Sequence, residues 1–237
     1  MNLKKIIQLS LKDFFSAKFL TLSIAPVMIV FTIVFGVYFV TDIDFATLLA
    51  VDSTTHPWLN WILSFDFIQG FINFFLYLFI WGLLIVVSVV LSIIVVGFFT
   101  PKIVKEVQKR HYPHIKLTNQ NFTISNSLFM YIKVFFIFFT LLLITLPLAF
   151  IPGINLAVLY IPFYYLFHNF LILDVGSSIV SKEEFLKIVK SNKTLFRSTT
   201  LTLYLISLIP FSGILLQVFY VIVISHEFFI KKEEINR

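Results

Sequence analysis

Apolar residues run through this chain in blocks too long for a soluble core, and the polar residues collect between them. Four blocks stand out, at residues 21–41, 67–100, 128–173 and 201–230. The first, at a helical rise of 1.5 Å per residue, covers about 30 Å, one hydrocarbon core. Pro26 sits near its start, where a helix tolerates proline best. As a single helix the second block would reach about 50 Å and must tilt, kink or project beyond the bilayer. Pro101 need not end it, because Lys102, Lys105, Lys109 and Arg110 can carry the helix past the membrane to residue 110. The third block is broken at Ile151-Pro152-Gly153-Ile154-Asn155. Irregular backbone in hydrocarbon must be buried in protein or line a polar cavity, since lipid offers no hydrogen bonds. Pro210 and Gly213 split the fourth block into arms of about 15 Å and about 25 Å, the first of which crosses only half a bilayer.

The polar segments orient these blocks. Residues 1–20 predict an interfacial helix, with Leu3, Ile7, Leu11, Phe14 and Phe15 on one face and Lys4, Gln8 and Lys12 on another; the alternative is a positive-inside flank that happens to be helical. Residues 42–66 hold Asp42, Asp44, Asp52 and Asp66 but no Lys or Arg, and Trp58 and Trp61 suit an aromatic belt; this loop reads as external. Ser181-Lys182-Glu183-Glu184 is a capping-box signal that opens a basic amphipathic helix over 181–198. The ends of the third and fourth blocks all carry positive charge, so each block must enter and return on the cytoplasmic side. The expectation is an all-α integral membrane protein. It has two long transmembrane helices (21–41 and 67–110), two re-entrant or hemi-penetrating hairpins (128–173 and 201–230) and amphipathic cytoplasmic helices. Both termini are expected in the cytoplasm, and the whole chain is expected to form one membrane domain.

Composition supports the class. Of 237 residues 59% are hydrophobic, 18% aromatic and 13% charged, and the mean hydropathy is +0.98; a soluble domain carries about 25% charged residues. The blocks do not alternate, which excludes an outer-membrane barrel. With no cysteine, disulfides, Fe–S clusters and thiol nucleophiles are excluded. No cleavable signal pattern is read at the start. The net charge of +6 comes from basic residues flanking apolar spans, an ordinary topology signal, so nucleic acid is not expected as a partner. No catalytic constellation, Walker sequence or cofactor motif is present, and an enzyme is not expected. His111 and His114 could share a metal, but with no further ligand nearby in sequence they read as a solvated turn.

Several features in order resemble one family. A basic N-terminal helix precedes a span with an early proline, Ala25-Pro26. A long span ends in Thr100-Pro101-Lys-Ile-Val-Lys-Glu106. The bend Ile151 to Asn155 is followed by Pro162 and Tyr164-Tyr165. An exit at Asp174 leads to a basic helix ending near Arg197, and a second Ile-Pro bend spans Ile209 to Gly213. The chain thus resembles the CysZ-type bacterial sulfate permeases of the etoposide-induced-protein domain family. That resemblance implies spanning helices with partly penetrating hairpins, oligomeric assembly, and inward movement of sulfate for cysteine synthesis across a bacterial inner membrane. Family members that bind sulfate near the first span carry Gly-Leu-Arg before its proline. This chain has Ala17-Lys18-Phe19-Leu20-Thr21 there, with Lys18 as the local cation.

The anion path then has named candidates. A helix that begins after a bend points free N–H groups and a partial positive charge at the bend. Gly153 and Gly213 lie at such bends, Asn155 and Ser212 add side-chain donors, and Lys18 adds a point charge. These five are the expected substrate-binding residues. The bland alternative is that Asn155 and Ser212 cap helices, the glycines permit turns and Lys18 snorkels. Gln69 and Asn73 begin a polar stripe with Tyr77, Ser88 and Ser92 that either packs against helices or lines a pore. His168 is a further pore-lining candidate, whereas Glu227, late in its block, reads as interfacial. The functional expectation is an anion transporter or channel in a lipid bilayer, taking an inorganic anion such as sulfate and assembling as a homo-oligomer. The alternative is a non-transporting scaffold or assembly protein of the same fold. Candidates gathered around one cavity favour the first, and candidates locked in helix contacts favour the second.

Overall fold

The computed structural model describes residues 3–40, 65–118, 124–151, 155–209 and 212–236, and every regular element in them is helical. In chain order these are α1 (Leu3–Phe14), α2 (Ala17–Val40), α3 (Asp66–His111), α4 (Ile124–Thr145), a 3₁₀ turn (Pro147–Phe150), α5 (Asn155–Ile179), α6 (Lys182–Ser191), α7 (Lys193–Ser207), the single turn α8 (Ser212–Leu215) and α9 (Gln217–Asn236). Among the described residues, two stretches are long and apolar enough to cross a membrane, Ala17–Phe39 and Leu128–Thr145. Their outer faces carry Met28, Ile33, Val37 and Phe39 on one helix and Phe129, Phe136 and Leu143 on the other, all exposed. Lipid would cover such faces, whereas a soluble monomer rarely presents them. Helix α3 runs unbroken for 46 residues with Pro101 inside it, about 69 Å at the helical rise. The external loop expected at 42–66 lies almost wholly outside the described residues, as do Pro152, Gly153, Ile154, Pro210 and Phe211.

Contacts divide the chain into two compact units, one of residues 25–94 and one of residues 1–24 with 95–237. Within the smaller unit, α2 and α3 meet through aromatic contacts, with Trp81 between Phe35 and Tyr38 at ring distances of 5.4 and 6.1 Å. The larger unit is built around α9. Its residues Val218 to Phe229 are all buried, and it packs against α1, α5 and α6.

The third apolar block is an antiparallel helix pair. Phe135 of α4 lies 4.9 Å from Phe170 of α5 in an edge-on contact, and Phe138 lies 5.6 Å from Phe163. Helix α4 stops at Thr145, the 3₁₀ turn follows, and Ile151 is extended (φ −84°, ψ 116°) before α5 starts at Asn155. At the foot of the pair Asp174 accepts hydrogen bonds from Tyr131 (2.8 Å) and Thr100 (3.0 Å), tying α5 to both α4 and α3. Close packing continues one turn on. A Cβ added to Gly176 would come within 2.5 Å of Phe185 and 2.7 Å of Phe228, so only glycine fits between these rings.

The fourth block and the helix before it divide differently from the pattern of hydrophobicity. The stretch expected as one helix over 181–198 is interrupted at Asn192 (φ −122°, ψ 30°), and α7 carries on into the apolar block. The capping box at Ser181 is formed, with the Ser181 hydroxyl accepting from the Glu184 N–H and the Glu184 carboxylate accepting from the Ser181 N–H. Helix α7 touches α9 through Phe196 on Phe228 (4.9 Å). Thr199 donates to the Glu227 carboxylate at 2.5 Å. Glu227 is only 1% exposed, not interfacial as its sequence position implied. Lys232 is buried too, and its ammonium donates to the carbonyls of Lys116 and Ile179 and to the Thr118 hydroxyl at 2.8, 3.2 and 2.8 Å. Helix α1 buries Ile6, Ser10, Asp13 and Phe14 and leaves Leu11 exposed, as is Phe15 just after it. One of its faces is thus committed to protein while an apolar face remains open.

Candidate functional site

Because α3 continues through Pro101, the residues after the proline keep helical spacing. Lys102, Lys105, Glu106 and Lys109 are three and four apart, which puts them on one face. That face meets the first turn of α2. Ala17, Lys18, Thr21 and Leu22 complete a pocket of about 650 Å³ whose walls carry four lysines and one carboxylate. Both walls are anchored by buried neighbours. Phe19, Ile103, Val104 and Val107 are all fully buried behind them, and the Arg110 guanidinium lies 4.9 Å from the Phe19 ring centre.

Charge inside the pocket is unevenly matched. Glu106 accepts from Lys18 at 2.5 Å and from Arg110 at 3.0 Å. The Lys18 ammonium holds the Glu106 carboxyl below its usual range, and Arg110 assists against the opposing effect of burial. Lys102 lies 5.0 Å from the centre of the Phe99 ring. Lys105 and Lys109 have no acidic partner within ion-pair distance among the described residues. Lys18 keeps 59% of its side chain exposed, and an exposed pair of this kind contributes no more than about 1 kcal/mol. An anion entering the pocket would find Lys18 easy to recruit from Glu106. The first turn of α2, whose Ala17, Lys18 and Thr21 line the pocket, adds the partial positive charge of a helix N-terminus.

The other residues singled out from sequence do not gather here. The Ser212 hydroxyl lies 2.6 Å from the Ile206 carbonyl and 2.7 Å from that of Ile209, closing the turn between α7 and α8. Gly213 sits in the first turn of α8, where an added Cβ would make ordinary contact with Ser207 at 3.5 Å. His168 is bonded through Nδ1 to the Thr200 hydroxyl at 2.6 Å, and the neighbouring Tyr164 donates to the Arg197 carbonyl at 3.0 Å. His168 thus sits in the α5–α7 contact. Asn155 opens α5, while Gln69 and Asn73 lie in the first turns of α3; their side chains lie outside the described residues, as does all of Gly153. His114 is exposed in the turn after α3, 3.9 Å from Glu233. The residues missed from sequence are Lys102, Lys105, Glu106 and Lys109. Their spacing is a readable signal once the helix is carried past Pro101; of the five expected substrate-binding residues, Lys18 alone lines this pocket.

Among the described residues every regular element is helical and two helices are long and apolar enough to span a membrane, which together with the family below supports an α-helical membrane protein. The chain belongs to the sulfate transporter CysZ/etoposide-induced protein 2.4 family, whose sequence profile matches residues 7–216. This is a transporter family and not an enzyme class. No curated protein and no solved structure matches the chain.

Proposed function

We propose that the protein is an inner-membrane transporter or channel for a small inorganic oxyanion of the sulfate type, supporting sulfate uptake for cysteine synthesis. The lysine-walled pocket carries this reading. Four lysines against one carboxylate, at the start of a spanning helix, line a site with net positive charge. A divalent oxyanion offers four acceptor oxygens to match them. Lysine binds it as a point charge without the fixed fork of arginine, which suits passage better than tight capture. Pocket charge also raises the local anion concentration and the entry rate.

In this proposal the basic ends of α3 and α6 lie in the cytoplasm with both termini, and the α4–α5 and α7–α9 pairs enter the bilayer from that side and return. A hairpin that turns inside the bilayer needs protein around its bend, which favours a homo-oligomer. The scaffold reading keeps one specific support, since Ser212 and His168 are locked in helix contacts. Radiolabelled sulfate uptake into proteoliposomes separates the two. Uptake saturating with sulfate, at verified protein density, is expected. Uptake no faster than in empty liposomes supports the scaffold.

A further inference from the structure

A second polar cluster lies beside the lysine pocket. It joins the end of α1, the end of α3 and the middle of α9, residues about a hundred positions apart in the chain. Asp13 Oδ2 is 2.7 Å from His111 Nε2 and 3.6 Å from His226 Nε2. All three ligand atoms lie within 4.8 Å of one another.

His226 is the informative member. It is fully buried. Its Nδ1 is 2.9 Å from the Tyr112 hydroxyl, but its Nε2 has no hydrogen-bond partner among the described residues. At 3.6 Å the Asp13 carboxylate is beyond hydrogen-bonding reach. A buried ring nitrogen left in that condition is costly whether it carries a proton or a lone pair. This one is aimed at a carboxylate oxygen that a second imidazole already faces.

We infer that Asp13, His111 and His226 form a site for a divalent transition-metal ion of the Zn²⁺ type. Ligand atoms about 2.1 Å from a tetrahedral zinc stand about 3.4 Å apart, between the two separations from Asp13 seen here, 2.7 and 3.6 Å. Two imidazoles and one carboxylate are a donor set that zinc accepts with its fourth position open. The surroundings supply the outer contacts such ligands need. Tyr112 can accept from His226 Nδ1–H, which leaves Nε2 as a bare lone pair. Arg110 Nη1 lies 3.5 Å from the other Asp13 oxygen and 3.0 Å from the Ser16 hydroxyl. A bound ion would fasten the end of α1 to the end of α3 and the middle of α9, and so fix the start of α2 and Lys18. This inference is independent of what the lysine pocket transports.

The test uses the full chain, purified without a polyhistidine tag, stripped with chelator and titrated with ZnCl₂ alone. The expected result is saturable binding of one Zn²⁺ per chain with a rise in thermal midpoint. His111→Ala, which removes a half-exposed ligand, should abolish that binding. Tyr112→Phe keeps the packed ring and should weaken affinity about 10-fold by removing the outer contact. His114→Ala, outside the cluster, should bind as the parent does. No saturable Zn²⁺ binding by the parent, or binding unchanged in His111→Ala, overturns the site.

Discussion

The two polar clusters at the end of α3 share a helix and a connecting residue, yet they are built in opposite ways. In the pocket, Lys18, Lys102, Lys105 and Lys109 are exposed and share one carboxylate. One turn further on, Asp13 and His226 are buried among Phe14, Tyr112 and Phe229. Arg110 touches both, through Glu106 on one side and Asp13 on the other. Exposed lysines lose little hydration and can exchange partners, which suits a site that binds and releases. Buried groups must keep fixed partners or suffer a desolvation cost, which suits a site that holds. The same division extends along α9, where Glu227 and Lys232 are buried and bonded.

Substitutions at the buried end should therefore damage the fold, and those in the pocket should damage function alone. The largest effect is expected for Lys232→Met. It removes three hydrogen bonds from a charged donor and leaves two carbonyls and a hydroxyl without it, a loss of about 3 kcal/mol. For a chain of this size that lowers the thermal midpoint of the detergent-solubilised protein by roughly 10 °C. A midpoint unchanged in this variant would break the contrast at its strongest point.

Gly176→Ala comes next. The new methyl would press on Phe185 and Phe228, and overpacking of this kind costs about 1–3 kcal/mol. A lowered midpoint in the same assay is the expected outcome. Replacing Phe185 by Leu in the alanine background should recover part of it.

A smaller effect depends on pH. Burial alone would raise Glu184, but hydrogen bonds from Thr118 and Ser181 and the charge of Lys232 outweigh it and hold the carboxyl below its ordinary value of 4.5. A carboxyl depressed in the folded state contributes stability that is fully present above the unfolded value. That contribution disappears as pH falls through the folded value. The midpoint of the parent should therefore fall more steeply below about pH 4.5 than that of Glu184→Gln, which starts lower at neutral pH. Parallel curves would show that the capping carboxylate contributes nothing.

The smallest structural effect is expected in the pocket. Lys105→Gln and Lys109→Gln remove exposed charges with no acidic partner among the described residues. The midpoint should not move, while sulfate uptake should fall. A loss of stability in these variants would place the lysines with the buried groups instead.

Local signals proved readable in the chain, and distant pairings did not. The Ser181 cap, the passage of α3 through Pro101 and the break before Asn155 depend on residues within a turn or two of one another. Each was legible as spacing. The pocket needs Lys18 and Glu106, 88 residues apart, and the second cluster needs Asp13 and His111, 98 apart. Nothing in the local pattern pairs them. The burial of Glu227 was hidden for a related reason. A carboxylate late in an apolar block reads as reaching water, but here it lies mid-helix in α9 and is bonded to Thr199 of α7. Ser212 shows the opposite case, a donor beside a bend whose hydroxyl bonds the carbonyls of its own turn.

Equilibrium binding of labelled sulfate to the purified protein, compared with the Lys18→Gln/Lys105→Gln/Lys109→Gln variant, tests the pocket most directly. The expected result is saturable binding by the parent that weakens as ionic strength rises. The variant should show no saturable binding while keeping the parent's thermal midpoint. Equal binding by the two proteins, or none by the parent, would contradict the assignment of this pocket as the anion site.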